Sequence, residues 1–224
     1  MHSTKSTSAI RRLATGFTAA LAVMSLSATA AHASEEAVSA PSRQRIMNWT
    51  VSSLENGQRY QVDGVRYTST PNLTHSPRYN YLGRNGSNEN RNVYTGFSSI
   101  EWCGLFAKSM WTIGGQVTNT QVPRDAASSQ AWRTEVGNRF HTYRVADFPE
   151  IGDVLVWTND GDSAHGHVAV VTSANPANGR INWIGGNDSV SSTTRDSIVE
   201  HREEWRYMAN SMSGKTFRGF ASIY

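Results

Sequence analysis

The apolar positions change period once along the chain, near Pro149. Before it they follow helical spacing. Residues 43–54 carry Ile46, Trp49 and Leu54 on one stripe and stop at Asn56-Gly57, which predicts an amphipathic helix with a glycine end. In residues 98–115, Phe106, Met110 and Ile113 recur at i, i+4 and i+7, Leu105 and Trp102 widen the stripe, and Gly114-Gly115 ends it. Ser98 or Ser99 is placed to cap this second helix, with Glu101 near its positive end. A third helix is expected over residues 125–136, stopping at Gly137. Between the first two, residues 58–92 are rich in Asn, Tyr, Gly, Arg and Pro. They predict a long loop with short extended pieces such as 60–67.

Beyond Pro149 the runs become short and β-rich. Strands are predicted at 153–157, 167–172, 180–184 and 217–224, and the first three are followed by turns within NDGDSAHG, SANPANG and GGND. Helices first, then consecutive strands with short turns, give an α+β fold with helices packed on an antiparallel sheet. No internal repeat and no glycine-rich nucleotide loop is present.

The first 33 residues follow another pattern. Lys5, Arg11 and Arg12 precede an apolar run over 13–26, and Ala31-His32-Ala33 closes the segment. This is the layout of a secretory signal peptide cleaved after Ala33. The run is too short for a membrane anchor, which needs about 20 apolar residues. Residues 34–42, small and polar with Pro41, are expected to form a flexible lead-in, and 43–224 a single domain.

Cleavage alters the charge balance. The full chain is +3, but the leader holds three of the 21 Lys and Arg, so 18 basic residues then face 18 acidic ones. The mature chain has no basic footprint for nucleic acid and no polybasic run for anionic lipid. It is expected to be secreted, extracellular, free of membrane contact and monomeric. Asn48, Asn72, Asn85 and Asn187 head N-x-S/T sequons, which mean little if the source is bacterial.

One cysteine, Cys103, excludes an intramolecular disulfide and any cysteine-rich metal site. In an exported chain a lone thiol is a reactive group, an intermolecular bridge or a buried apolar side chain. A nucleophilic cysteine needs a lowered pKa, which a helix start and a nearby imidazole supply. Cys103 falls in about the first turn of its helix. Among the histidines, His75 and His141 sit in loop-like contexts, and His201 in EHREE is most simply on a solvated face. His167 opens an apolar strand and shares a face with Ala169 and Val171, with Val168 and Val170 opposite. A helix packed on the first face brings thiol and imidazole together at its edge. Asn187, just past the antiparallel return strand and next to Asp188, is placed to orient the imidazole, although taken alone it is a turn residue.

The stretches Glu101-Trp102-Cys103-Gly104-Leu105-Phe106, Pro149 to Trp157, Gly166-His167-Val168-Ala169-Val170-Val171 and Gly185-Gly186-Asn187 resemble the CHAP family. These are cysteine, histidine-dependent amidohydrolases and peptidases, related to NlpC/P60 cell-wall hydrolases. The resemblance implies a papain-like core, cleavage of a peptidoglycan amide (N-acetylmuramoyl–L-alanine or a peptide bond), and Cys103, His167 and Asn187 as catalytic residues. It implies no cofactor and no metal. Many members carry an acid two residues before the final Asn, where this chain has Gly185; Asn187 alone or Asp188 then orients the histidine.

Two other readings compete. His165-Gly166-His167 is an H-x-H such as zinc peptidases use, but His141 and Asp147 are too far apart for the accompanying H-x-x-x-D. A non-catalytic binding protein on the same fold is the second. Asn159-Asp160-Gly161-Asp162 lacks the full ligand pattern of a calcium loop and is expected to be a plain turn.

Overall fold

The computed structural model describes residues 40–224, apart from 63, 83–90, 97, 99, 192, 193 and 195. The leader and most of the lead-in lie outside the described residues. Helix α1 spans Ala40–Glu55, so it starts three residues before the expected point. Among the described residues no helix is long and apolar enough to cross a membrane.

The strands are β1 (Arg59–Val62), β2 (Val65–Thr68), β3 (Thr70–Asn72), β4 (Tyr79–Tyr81), β5 (Phe140–Thr142), β6 (Val154–Asn159), β7 (Asp162–Asn175), β8 (Arg180–Asp188), β9 (Ser197–Glu204) and β10 (Lys215–Ala221). β1 and β2 form a separate hairpin. The other eight make one antiparallel sheet in the order β3-β4-β9-β8-β7-β6-β10-β5. The fold is the expected α+β one, with helices packed on an antiparallel sheet. The loop expected over 58–92 is more ordered than its composition suggests: β1 and β2 fill its start, and β3 and β4 add to the sheet edge at β9.

The central strands are apolar on both faces. In β6, Val154 and Val156 join one core and Leu155 and Trp157 the other. In β7, Val168 and Val170 divide from Ala169 and Val171 in the same way. A strand covered on both sides reads as a continuous apolar run. The first core also contains Ile46 and Leu54 of α1 and Phe106, Met110 and Trp111, and the second contains Trp183, Trp205 and Met208.

Two expected elements are shorter than their sequence patterns. α2 covers only Cys103–Ser109 and continues as a π-helical turn over Met110–Gly114. The helix expected over 125–136 is reduced to α3, Ala131–Thr134. The Ala126 carbonyl explains the loss: it accepts the indole N–H of Trp132 (3.0 Å) and rests on Gly104 instead of serving a helical turn.

The C-terminal strand ends at Ala221, and Ser222 turns to a buried ionic cluster. Arg43 Nη1 donates to Asp153 Oδ1 at 2.6 Å, and Nη2 to Ser222 Oγ at 2.9 Å. This joins α1, the start of β6 and the chain end. Burial raises the Asp153 carboxyl, against the opposing charge of Arg43. Arg43→Ala leaves that carboxylate buried and unpaired, so we expect a stability loss of about 3–5 kcal/mol in urea unfolding. A loss below about 1 kcal/mol would show the cluster to be solvated.

Candidate active site

Cys103 is the first residue of α2, and Trp102 is its N-cap. No side chain caps the helix: Ser98 lies outside it, and Ser99 is outside the described residues. A buried anchor fixes the start instead. The Trp102 indole N–H donates to Asp196 Oδ1 at 2.6 Å, the Asn92 amide donates to the same oxygen at 3.2 Å, and the Trp102 ring stacks on Tyr94. Burial lifts the Asp196 carboxyl to about 6, against those two hydrogen bonds. Sequence reasoning had no signal for this carboxylate, which is 94 residues away from Trp102.

Two glycines let α2 settle. A Cβ on Gly104 would lie 1.8 Å from the Ala126 carbonyl oxygen, and a Cβ on Gly186 would lie 2.4 Å from Trp102 Cζ3. Both positions need a missing side chain for close approach.

The helix packs on the face opposite to the one expected. Cys103 and Phe106 share a core with Val168 and Val170, not with Ala169 and Val171. Pairing of β7 with β8 runs only as far as Ala169↔Gly185, and β8 bulges against β9 between Gly185 and Asp188. The Val168 backbone lies close enough to the Cys103 thiol to pull its pKa down. The thiol therefore lies beside the residue that follows His167.

Both side chains are buried, and burial favours the uncharged form of each. Burial pushes the Cys103 thiol up to about 11; the hydrogen bonds from Val168 and Gly104 pull it down, and the charges of Glu101 and Asp188 push it up further. Burial lowers His167 to about 4, partly opposed by Asp188. The expected thiolate is not the resting form, because loss of solvent outweighs the helix start. The imidazole is in the state that a general base needs at neutral pH.

The third expected residue points elsewhere. Asn187 has a left-handed backbone (φ 56°), which Asn tolerates in a turn, and its amide donates to Glu101 Oε2. The side chain facing the imidazole is Asp188, whose Oδ2 lies 3.7 Å from His167 Nε2. The same oxygen accepts from His201 Nε2 at 2.7 Å, and Oδ1 accepts the Ser189 N–H at 2.8 Å. Burial would raise the Asp188 carboxyl, but the His201 bond and the two imidazoles hold it below the usual range. His201 is partly exposed on the cleft side and partly covered. It stacks on Trp183, its partner across β8 and β9. Trp102 and Trp183 are core side chains.

Two open clefts meet at the site. One, of about 620 Å3, is lined by His167, Asp188 and His201; the other, of about 710 Å3, by Cys103, Asp125 and His165. Glu101, Gly166 and Lys215 border both.

The zinc arrangement does not form. His165 is exposed against Asp162, His141 stacks on Phe220, and Asp147 pairs with Arg144. Among the described residues no three His, Cys, Asp or Glu converge as metal ligands. In the 159–162 turn, Lys215 donates to Asn159 and Thr216 to Asp160, and His165 pairs with Asp162.

The CHAP domain family model matches residues 94–187, a stretch that holds α2, β6, β7 and nearly all of β8. Curated proteins and solved structures gave no match. The segment 94–187 is thus similar to the CHAP domain family, hydrolases of the amidase and peptidase type.

Proposed function

We propose that the chain is an exported peptidoglycan hydrolase that cleaves an amide bond with Cys103 as nucleophile and His167 as base. The observation that carries this reading is that the buried Cys103 thiol, at the start of α2, lies beside Val168, the residue next to a buried His167, inside a segment similar to the CHAP family. The leader-like residues 1–33 support export.

Because thiol and imidazole are both neutral at rest, the proton moves as the bond forms. His167 takes the Cys103 proton while the sulfur adds to the amide carbonyl carbon. Backbone N–H groups that open α2 face the developing oxyanion. The protonated imidazole, next to the Asp188 carboxylate, then gives its proton to the leaving amine, and the C–N bond breaks. Water, deprotonated by His167, hydrolyses the thioester and returns the thiol. Asp188 is the group that faces the imidazolium; Asn187 acts through Glu101, closing the loop before the nucleophile onto the end of β8. A wall strand lies along the two clefts, which Glu101 and Lys215 both border.

The test is digestion of purified peptidoglycan by the wild-type chain and by Cys103→Ala, with new termini identified by mass spectrometry. Free N-terminal L-alanine marks an amidase, and a new stem or cross-bridge terminus marks an endopeptidase. Wild-type digests without new termini on every wall chemistry would overturn the reading. Release by Cys103→Ala equal to wild type would remove the cysteine from it.

A further inference from the structure

His201 lies outside the matched segment, and the mechanism above gives it no part. Its surroundings are those of a fixed donor. Gly185 has no side chain, and a Cβ there would sit 2.7 Å from His167 Nε2. Asp188 reaches into this space: its Oδ2 lies 3.5 Å from the same Cβ position. The carboxylate is held at both oxygens, by the Ser189 N–H on Oδ1 and by His201 Nε2 on Oδ2. His201 is itself held. Its ring lies 5.5 Å from that of Trp183 and within 11° of parallel, and Trp183 is buried and directly opposite in the β8–β9 register. Meanwhile His167 Nε2 is buried without a hydrogen-bond partner.

We propose that His201 is a positioning residue of this site: its Nε2–H fixes the Asp188 carboxylate beside His167, in the space that Gly185 leaves open. The inference rests on the reading of Cys103 and His167 as the reacting pair. A carboxylate held there favours the His167 tautomer with its proton on Nε2, and so leaves Nδ1 to accept the thiol proton. It also faces the charge that appears on the ring. The 3.7 Å gap shortens to a hydrogen bond of about 3 Å once that charge forms. Without His201, the carboxylate is free to turn into the cleft and take water as its partner.

Two variants separate positioning from packing. His201→Phe keeps a ring on Trp183 and removes the donor, whereas His201→Gln loses the ring and keeps an N–H near the Nε2 position. We expect H201F to lower kcat on peptidoglycan roughly tenfold or more at unchanged KM, with H201Q restoring most of the loss. A second readout needs no wall substrate. Cys103 is the sole cysteine, so its alkylation by iodoacetamide at pH 7 is followed by intact mass. H201F should slow it, and H201Q should bring it back toward the wild-type rate. Wild-type kcat and alkylation rate in a folded H201F would overturn the proposal, as would an H201Q as slow as H201F in both. If the wild type cleaves no wall, the hydrolase reading fails by itself, and the alkylation rates alone decide the role of His201.

Discussion

Cys103→Ala and His167→Ala should each lower kcat/KM on peptidoglycan by roughly 10^4-fold, and together hardly more, because the two act as one unit. The wild-type pH profile is the sharper part of the expectation. The base works only when neutral. Burial holds His167 down at about 4, so its neutral form persists well below the usual histidine range. As kcat/KM reports the free enzyme, its acid limb should fall near pH 4 and not near 6.5. On the alkaline side the thiol stays protonated up to about 11, so no loss from thiolate formation is expected before that. An acid limb at pH 6–7 in a stable wild-type protein would show that water reaches the imidazole, and the general-base mechanism drawn from its burial would have to go. Full activity in His167→Ala would dispose of the assignment altogether.

Gly186→Ala should cost about 100-fold in kcat with a smaller loss of stability, about 1–3 kcal/mol. The added methyl would sit 2.4 Å from Trp102 Cζ3 and 2.7 Å from Phe106 Cβ. Both belong to the opening of α2, and Trp102 is already fixed on Asp196 and Tyr94. Relief has to come from α2 lifting away from β8, which carries Cys103 away from Val168. Misplacement by about 1 Å is enough for a loss of that size. Thermal unfolding together with kcat separates the two effects. A Gly186→Ala protein with unaltered kcat would mean that the helix start is not held where the thiol needs it. Gly64, by contrast, has open space around a Cβ, and its φ of 80° makes any cost there one of local backbone strain.

Much of the site was legible in the chain because its parts are local. A stripe at i, i+4 and i+7 ending in Gly-Gly places a helix whatever it packs on, and Cys103 near its start follows from counting. His167 at the head of Val-Ala-Val-Val is a strand start by the same logic. The face that α2 covers was not legible. Val168, Val170, Ala169 and Val171 are alike in hydropathy, and both sides of β7 are buried, so alternation carries no sign. The shortness of α3 was hidden too, because a tertiary contact, Trp132 on the Ala126 carbonyl, takes an acceptor that a helix would use.

The polar partners show the same division. The turn at Gly-Gly-Asn-Asp was plain, yet which of its two side chains meets the imidazole depends on a bulge between Gly185 and Asp188. That bulge turns Asn187 to Glu101 and leaves Asp188 beside His167. In Glu-His-Arg-Glu-Glu, charge density made His201 look solvated, but pairing with Trp183 across the strands is a matter of register, set by residues far apart in sequence.

By itself the sequence determined the class of fold, the helix start that bears the only thiol and the strand that bears the imidazole. Each rests on periodicity and turn chemistry within a dozen residues. The tertiary structure decided the face on which the helix lies, the preference of both groups for the uncharged form and the choice of Asp188 and His201 around His167. Those depend on burial and strand register, and neither exists until distant segments pack.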